Sequence, residues 1–420
     1  MKALVLSGGG SKGSYQIGVW KALRKLHIKP EIVTGTSIGA VNGIMIVQKQ
    51  FYKAQRLWEN LNFEQLFNVD LENETDKKEV YLTYIKEFIK NKGMSTDKIE
   101  NFINEAINTK KFYNSKINYG LVTFNLSELK PNELLKKDIK PEKLKEYVLA
   151  SATCFPAFKI KNINDEQFID GGYYDNLPIN LAIDMDAKEI IAVDLNEIGL
   201  KQKVKDKSIK IKYISPKNDL GSFLIFDSNQ AKKNIKYGYN DTLKVYNKLD
   251  GNKYTFKYNH LYKNYKKISW EFNNLLKELF ENNEDNKNIY DNFIKYSQFN
   301  KLLKKEIEDR ITINETIEFL GDIYNLDDTK IYHIREFNRL ILKNNKEYKV
   351  SKISIKNIKS DDFEGIINSK LLVKYIYNHL IEKSYTYEVR KDLCRLASLF
   401  PKEFLGAMYI MLINHDYYFI

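Results

Sequence analysis

The spacing of apolar and polar residues divides the chain into two parts. From residue 1 to about 245, short apolar runs alternate with segments whose apolar residues recur at helical spacing. This pattern predicts strands at residues 3–6, 31–34, 119–125, 190–195 and 209–214, and helices at residues 14–27, 38–51 and 141–152. Strands that alternate with helices indicate an α/β fold, in which helices cover both faces of a mostly parallel sheet.

The pattern changes at the turn-like sequence Leu-Asp-Gly-Asn-Lys at residues 249–253. Beyond it the chain is rich in Lys, Glu, Asn and Tyr and has helical spacing, as in the stripe formed by Trp270, Leu275, Leu276 and Leu279. We therefore predict one domain over residues 1–248 and a mainly α-helical C-terminal domain of unknown role over residues 249–420.

Two segments each leave two interpretations open. Residues 51–115 are helical in pattern and more polar, so they can form a lid over a site or simply pack against the fold. The apolar run at residues 404–413 can be a core helix of the second domain or an interfacial helix that docks on lipid.

Composition argues against a membrane-spanning, a disulfide-rich or a zinc-binding protein. The mean hydropathy is −0.48, and the longest apolar runs are shorter than the roughly 20 residues that a membrane-spanning helix needs. The cysteines Cys154 and Cys394 are far apart and give neither a disulfide framework nor a zinc spacing. We therefore expect a cytoplasmic protein, with peripheral contact at the inner membrane face as one option.

The formal net charge of +12 has two interpretations. It can reflect a general bias toward Lys, Asn, Ile and Tyr, or it can attract the chain to an anionic lipid surface. The best local candidate for lipid attraction is a run of lysines: Lys201, Lys203, Lys205, Lys207, Lys210, Lys212 and Lys217. Nucleic-acid binding is not expected, because the sequence has neither a zinc-finger spacing nor an RNA-binding aromatic motif.

The sequence Gly35-Thr36-Ser37-Ile38-Gly39 follows a predicted strand and precedes an apolar helix. A serine between two glycines at a strand-to-helix turn is typical of a nucleophile elbow. The glycines allow the tight turn, and the N–H of Ile38 points the same way as the serine hydroxyl, at a helix end that favours negative charge. The alternative is a glycine-rich turn with a serine cap.

The first strand runs into a second motif, Gly8-Gly9-Gly10-Ser11-Lys12-Gly13. Gly8, Gly10 and Gly13 fit the G-x-G-x-x-G pattern of dinucleotide-binding folds. Those folds also carry an acidic residue that binds the ribose at the end of the second strand, but here Ser37 occupies that strand end. An oxyanion hole fits better, because Gly9 and Gly10 can present backbone N–H groups to a tetrahedral intermediate. Lys12 either adds positive charge there or is a solvated loop lysine.

The base that would activate Ser37 is not an obvious histidine. None of the five histidines lies in a motif, and four of them follow the predicted domain boundary. Asp170 is the candidate, because it ends a short apolar strand and is followed by Gly171 and Gly172, which let a carboxylate approach another part of the backbone closely. Taken alone, this motif could equally be an ordinary turn.

Together and in this order, the three motifs resemble those of the patatin-like phospholipase family, which carries G-G-G-x-[RK]-G, G-x-S-x-G and D-G-[AG]. Pro156 and Asn176-Leu177-Pro178 are similar to further features of the family. The resemblance covers residues 1 to about 245, and it implies a three-layer α/β/α fold for the N-terminal domain.

The resemblance also implies a lipid acyl hydrolase that forms an acyl-enzyme and needs neither a cofactor nor a metal. In it, Ser37 attacks the ester carbonyl and Asp170 accepts the proton of the serine. Two alternatives remain open: a non-catalytic lipid- or partner-binding protein with the same fold, and a dinucleotide-dependent enzyme. The lipid ester, its acyl position and any protein activator are left open too.

Overall fold

The computed structural model describes residues 1–61, 97–280, 309–348, 368–381, 389, 393, 395–397 and 399–417. The chain forms two compact units, Met1–Tyr246 and Asn247–Ile420. Part of the predicted helical insertion, residues 62–96, lies outside the described residues, as does Cys394. Within the described ranges, no helix is both long and apolar enough to cross a bilayer.

The first unit is built on an eight-stranded sheet with the order β5-β6-β3-β2-β1-β7-β8, and β4 pairs with β3. Strands β1, β2, β3, β7 and β8 are parallel, whereas β4, β5 and β6 run antiparallel to their neighbours. The bounds are β1 Lys2–Leu6, β2 Ile32–Thr36, β3 Asn118–Asn125, β4 Lys130–Leu135, β5 Lys161–Ile163, β6 Glu166–Asp170, β7 Glu189–Val193 and β8 Lys210–Ile214. The predicted mostly parallel sheet is confirmed.

Helices cover both faces of this sheet, as predicted. The side chains of β1 alternate, so that Leu4 and Leu6 enter one apolar cluster while Ala3 and Val5 enter another. The described helices of this unit are α1 Ser14–Lys25, α2 Ile38–Val47, α3 Phe51–Asn60, Asp97–Ala106, Thr109–Asn114, Leu144–Ser151, Ile179–Asp184 and Ser228–Val245. The central strands are therefore buried on both sides.

The helix predicted over residues 38–51 is two helices. Helix α2 ends at Val47, Lys49 has a φ of 58°, and α3 begins at Phe51. A left-handed residue cannot continue a right-handed helix, so the chain changes direction between them. The apolar character of residues 38–47 is explained because all ten are buried.

The second unit is mainly helical and has its own apolar core. Its described helices are His260–Phe280, Asp309–Ile323, Ile334–Glu347, Ser369–Ile381 and Pro401–Tyr417, accompanied by three short strands, Leu249–Asp250, Thr255–Lys257 and Ile331–Tyr332. The side chains of Phe404 and of 407–413 are buried, which favours the core-helix interpretation of this run over the interfacial one. The predicted stripe was wrong at Trp270, which is 74% exposed while Leu275 is buried.

Candidate active site

The three motifs lie around the carboxyl ends of parallel strands. Leu6 of β1 pairs with Gly35 of β2 on one side and with Val193 of β7 on the other. Because parallel strands end at the same edge of the sheet, the glycine loop after β1, Ser37 after β2 and the loop after β7 are neighbours. The sheet thus gathers at one edge groups that are remote in sequence.

Ser37 occupies a strained turn between β2 and α2. Its backbone has φ 55° and ψ −127°, a conformation that a non-glycine residue rarely adopts. The flanking glycines make the turn possible: a Cβ on Gly39 would lie 2.3 Å from the Leu6 carbonyl oxygen, and one on Gly35 would lie 2.4 Å from the Gly39 oxygen. The strain is held by packing and presents the serine hydroxyl at the N-terminus of α2.

Asp170 reaches Ser37 through an antiparallel strand. On β3, Val122 pairs with Thr36 of β2, and the next residue, Thr123, pairs with Asp170 of β6. Strand β4 occupies the other edge of β3, so β2 and β6 meet end to end on the same edge. The two strands therefore place Ser37 and Asp170 next to each other.

The carboxyl group of Asp170 is buried and accepts the Gly172 N–H at 2.7 Å, and the Ser37 side chain beside it adds a hydrogen-bonding interaction that favours the charged form. Burial raises the pKa of Asp170 from 3.8 to about 6, because removal from water disfavours the charged form more than these two interactions favour it. At neutral pH the group is therefore an ionised and stronger base than an exposed aspartate.

Some N–H groups of the glycine loop are hydrogen-bonded to the rest of the fold, and others are not. The N–H of Gly8 donates to the Asn176 carbonyl at 3.1 Å, and that of Ser11 donates to the Phe223 carbonyl at 2.8 Å. The N–H groups of Gly9 and Gly10 have no acceptor among the described residues, and both residues line the cavity beside Ser37. Two of the predicted oxyanion donors are thus left for a ligand.

Lys12 forms an ion pair with Glu197, and both side chains are largely buried. The carboxylate neutralises the lysine, so the positive charge considered for a phosphate or an oxyanion is already paired. The ion pair instead ties the glycine loop to the loop after β7. Gly13 lies further along, where a Cβ would meet Ile38 and Trp58.

A cavity of about 500 Å³ opens beside Ser37 and Asp170. Its wall is mostly apolar and includes Val41, Leu61, Phe102, Ile103, Phe158, Phe223, Leu224 and Phe226. Phe102 and Ile103 come from the helix Asp97–Ala106 of the predicted insertion, which therefore forms part of the wall. The described lining residues include no histidine, and the described residues contain no group of three or more His, Cys, Asp or Glu side chains placed to hold a metal.

Comparison with known proteins shows which family this domain resembles. Residues 4–183 match the family model of the patatin-like phospholipases. The chain carries a patatin-like phospholipase domain. A relative named lysophospholipase nte1 from Aspergillus terreus is 33% identical over 204 residues, and patatin-like phospholipase domain-containing protein 7 from Rattus norvegicus is 27% identical over 202 residues. Each match covers 46% of this chain but only 12% and 13%, respectively, of those much longer proteins.

Two polar residues of this patatin-like domain have roles that the sequence did not predict. Ser151 is buried; its hydroxyl accepts the Ser37 N–H at 2.9 Å and donates to the Val122 carbonyl at 2.6 Å. It thereby fixes the backbone of the strained turn. Asn176, which begins the Asn-Leu-Pro motif, lines the cavity, and its buried Nδ2 has no hydrogen-bond partner among the described residues.

Cys154 also lines the cavity of the patatin-like domain, close to Asp170. Burial, and secondarily the charge of Asp170, raises the pKa of this thiol to about 12. The group therefore stays protonated at neutral pH, which makes it a poor nucleophile.

Proposed function

We propose that this protein hydrolyses carboxylic ester bonds of lipids through Ser37 and Asp170. One observation carries the proposal: a serine in a strained elbow lies beside a buried carboxylate and unpaired backbone N–H groups at the wall of an apolar cavity. Nucleophile, base, donors to a developing anion and an acyl-sized space are the parts that ester hydrolysis requires.

In the first half of the reaction, the Ser37 oxygen attacks the ester carbonyl while its proton passes to Asp170. The carbonyl electrons move to oxygen, and the N–H groups of Gly9, Gly10 and Ile38 stabilise that oxyanion. As the tetrahedral centre collapses, the ester C–O bond breaks and the leaving alcohol takes the proton from Asp170.

In the second half, water attacks the acyl group on Ser37 and gives its proton to Asp170. Collapse of this second intermediate releases the fatty acid, and the proton returns to Ser37. Asp170 thus acts as base and acid in turn, and its pKa of about 6 lets it remain ionised between turnovers while holding a proton more readily than an exposed aspartate does.

The cavity also supports a substrate class. Its apolar wall and volume of about 500 Å³ fall in the range of small-ligand sites and suit one acyl chain better than a polar ester. A relative bears the name lysophospholipase, which makes a single-chain phospholipid the first substrate to test.

The test combines active-site labelling with product analysis. We expect a fluorophosphonate probe to label the wild-type chain and the exposed-serine control Ser208→Ala, but not Ser37→Ala. With lysophosphatidylcholine, the first two proteins should release fatty acid and the third should not. Labelling without fatty-acid release would refute this lipid substrate, and a lack of labelling in the folded wild-type protein would refute catalysis by Ser37.

A further inference from the structure

Exposed apolar side chains lie together at the mouth of the cavity. Ile198 is 96% exposed and Leu200 is 61% exposed, and both line the cavity together with the exposed Tyr173. Phe155 is exposed as well. Its carbonyl accepts a hydrogen bond from the Tyr173 hydroxyl, so it lies beside these residues. We call these four residues the mouth rim.

Backbone hydrogen bonds hold the mouth rim in place. The N–H of Leu200 donates to the Gly172 carbonyl at 2.9 Å, and the Asn176 N–H donates to the Leu200 carbonyl at 2.5 Å. Gln202 Nε2 donates to the Tyr174 carbonyl at 2.8 Å. The loop is thus fixed to the segment after Asp170, so the exposure of its apolar residues belongs to an ordered surface.

Two lysines that closely follow cavity or rim residues in the sequence carry positive charge with no ion pair among the described residues. The carboxylates of the same loop are neutralised, since Asp194 pairs with Lys201 at 2.6 Å and Glu197 pairs with Lys12. Lys159, which follows the cavity residue Phe158, and Lys203 are exposed and form no ion pair within the described part of the chain.

The lysine run at residues 201–217 does not lie on one surface. Lys205 pairs with Asp184, and Lys210 starts β8 opposite Glu189, at the amino ends of the parallel strands. The site lies at their carboxyl ends. Lys205 and Lys210 therefore lie away from the mouth. Lys203 follows the rim residue Leu200 by three positions, and Lys217 follows the carboxyl end of β8.

We propose that the mouth rim docks the patatin-like domain on the surface of an anionic phospholipid bilayer. Ile198 and Leu200 enter the interfacial layer, where their burial from water is favourable, and Lys159 and Lys203 face lipid phosphates. Because the same residues line the cavity, an acyl chain can pass from the bilayer to Ser37 without crossing water. This inference deepens the proposed function by naming where its substrate is taken up.

The test measures vesicle binding of the full chain in a Ser37→Ala background, so that turnover plays no part. Vesicles of equal parts phosphatidylcholine and phosphatidylglycerol are sedimented with protein and compared with phosphatidylcholine vesicles. We expect stronger binding to the anionic vesicles, and a loss of about tenfold or more on Ile198→Asp, the value expected for one large apolar side chain. Removal of the two cations in Lys159→Gln/Lys203→Gln should abolish the preference for anionic vesicles.

Leu129→Asp is the matched control, because Leu129 is 77% exposed and is not among the cavity-lining residues. It should bind vesicles like the parent chain. Equal binding by Ile198→Asp and the parent, with the fold confirmed by circular dichroism, would overturn the proposal. So would self-association in solution that Ile198→Asp removes, since a second copy would then be the occupant. Vesicle binding by the Ser37→Ala chain, combined with a lack of fluorophosphonate labelling of the folded chain that keeps Ser37, would instead leave the docking surface intact and reject the catalytic proposal.

Discussion

Replacement of Asp170 by Asn should stabilise the protein while it removes the proposed base. The folded chain holds the carboxylate in a buried site, where its pKa is about 6 instead of 3.8. That difference corresponds to about 3 kcal/mol of unfolding free energy at neutral pH. Asn is neutral, and its Oδ1 can still accept the Gly172 N–H, so the variant avoids the cost of burying a charge.

The sign of the effect follows from proton binding. Between about pH 4 and pH 6 the folded wild-type chain holds more protons at Asp170 than the unfolded chain, so its stability falls as pH rises through this window. Below about pH 4 the carboxyl is protonated in both states. The advantage of Asp170→Asn should therefore be small at pH 4 and reach its full size at pH 7.

Calorimetry of the full chain at pH 4 and pH 7 measures this difference. For a unit of this size, about 3 kcal/mol corresponds to a rise in melting temperature of roughly 6–12 °C. Asp206→Asn is the control, because Asp206 is exposed and its hydrogen bonds with Ser208 lower its pKa. It should show no stabilisation at pH 7. An Asp170→Asn variant that is no more stable than wild type at pH 7, or equally stabilised at both pH values, would refute the reasoning.

Three further predictions concern the same site. The rate of ester hydrolysis should decrease at pH values below about 6, because Asp170 becomes protonated there. The midpoint of the pH–rate profile should not change when all five histidines are replaced, and a shift of that midpoint would point to a histidine base. Ser151→Ala should lower kcat about tenfold, because it leaves the buried Ser37 N–H without its acceptor, at a cost of about 1–3 kcal/mol. An unchanged rate of the chemical step in single-turnover kinetics would contradict this. Gly171→Ala should destabilise the fold by about 1–3 kcal/mol or more, measured by urea unfolding, because its Cβ would lie 2.2 Å from the Val122 carbonyl oxygen; unaltered stability would show that β3 can move aside.

Some features could be predicted from the sequence because their cause is local. The parallel strands and their helices follow from short apolar runs and helical spacing, which depend on neighbouring residues only. The elbow at Ser37 is also local: Gly35 and Gly39 are required because backbone atoms of the same turn and of β1 would meet any side chain there. The order of the three motifs was enough to indicate the family.

Other features depend on contacts between remote residues, so only the tertiary structure decided them. Asp170 meets Ser37 because β6 runs antiparallel and ends where β2 ends on β3, a pairing that no local pattern encodes. Its raised pKa comes from burial, which the folded chain alone creates. Likewise, Ser151 supports Ser37, and Ile198 stands exposed at the cavity mouth, because strands and loops distant in sequence converge at one edge of the sheet.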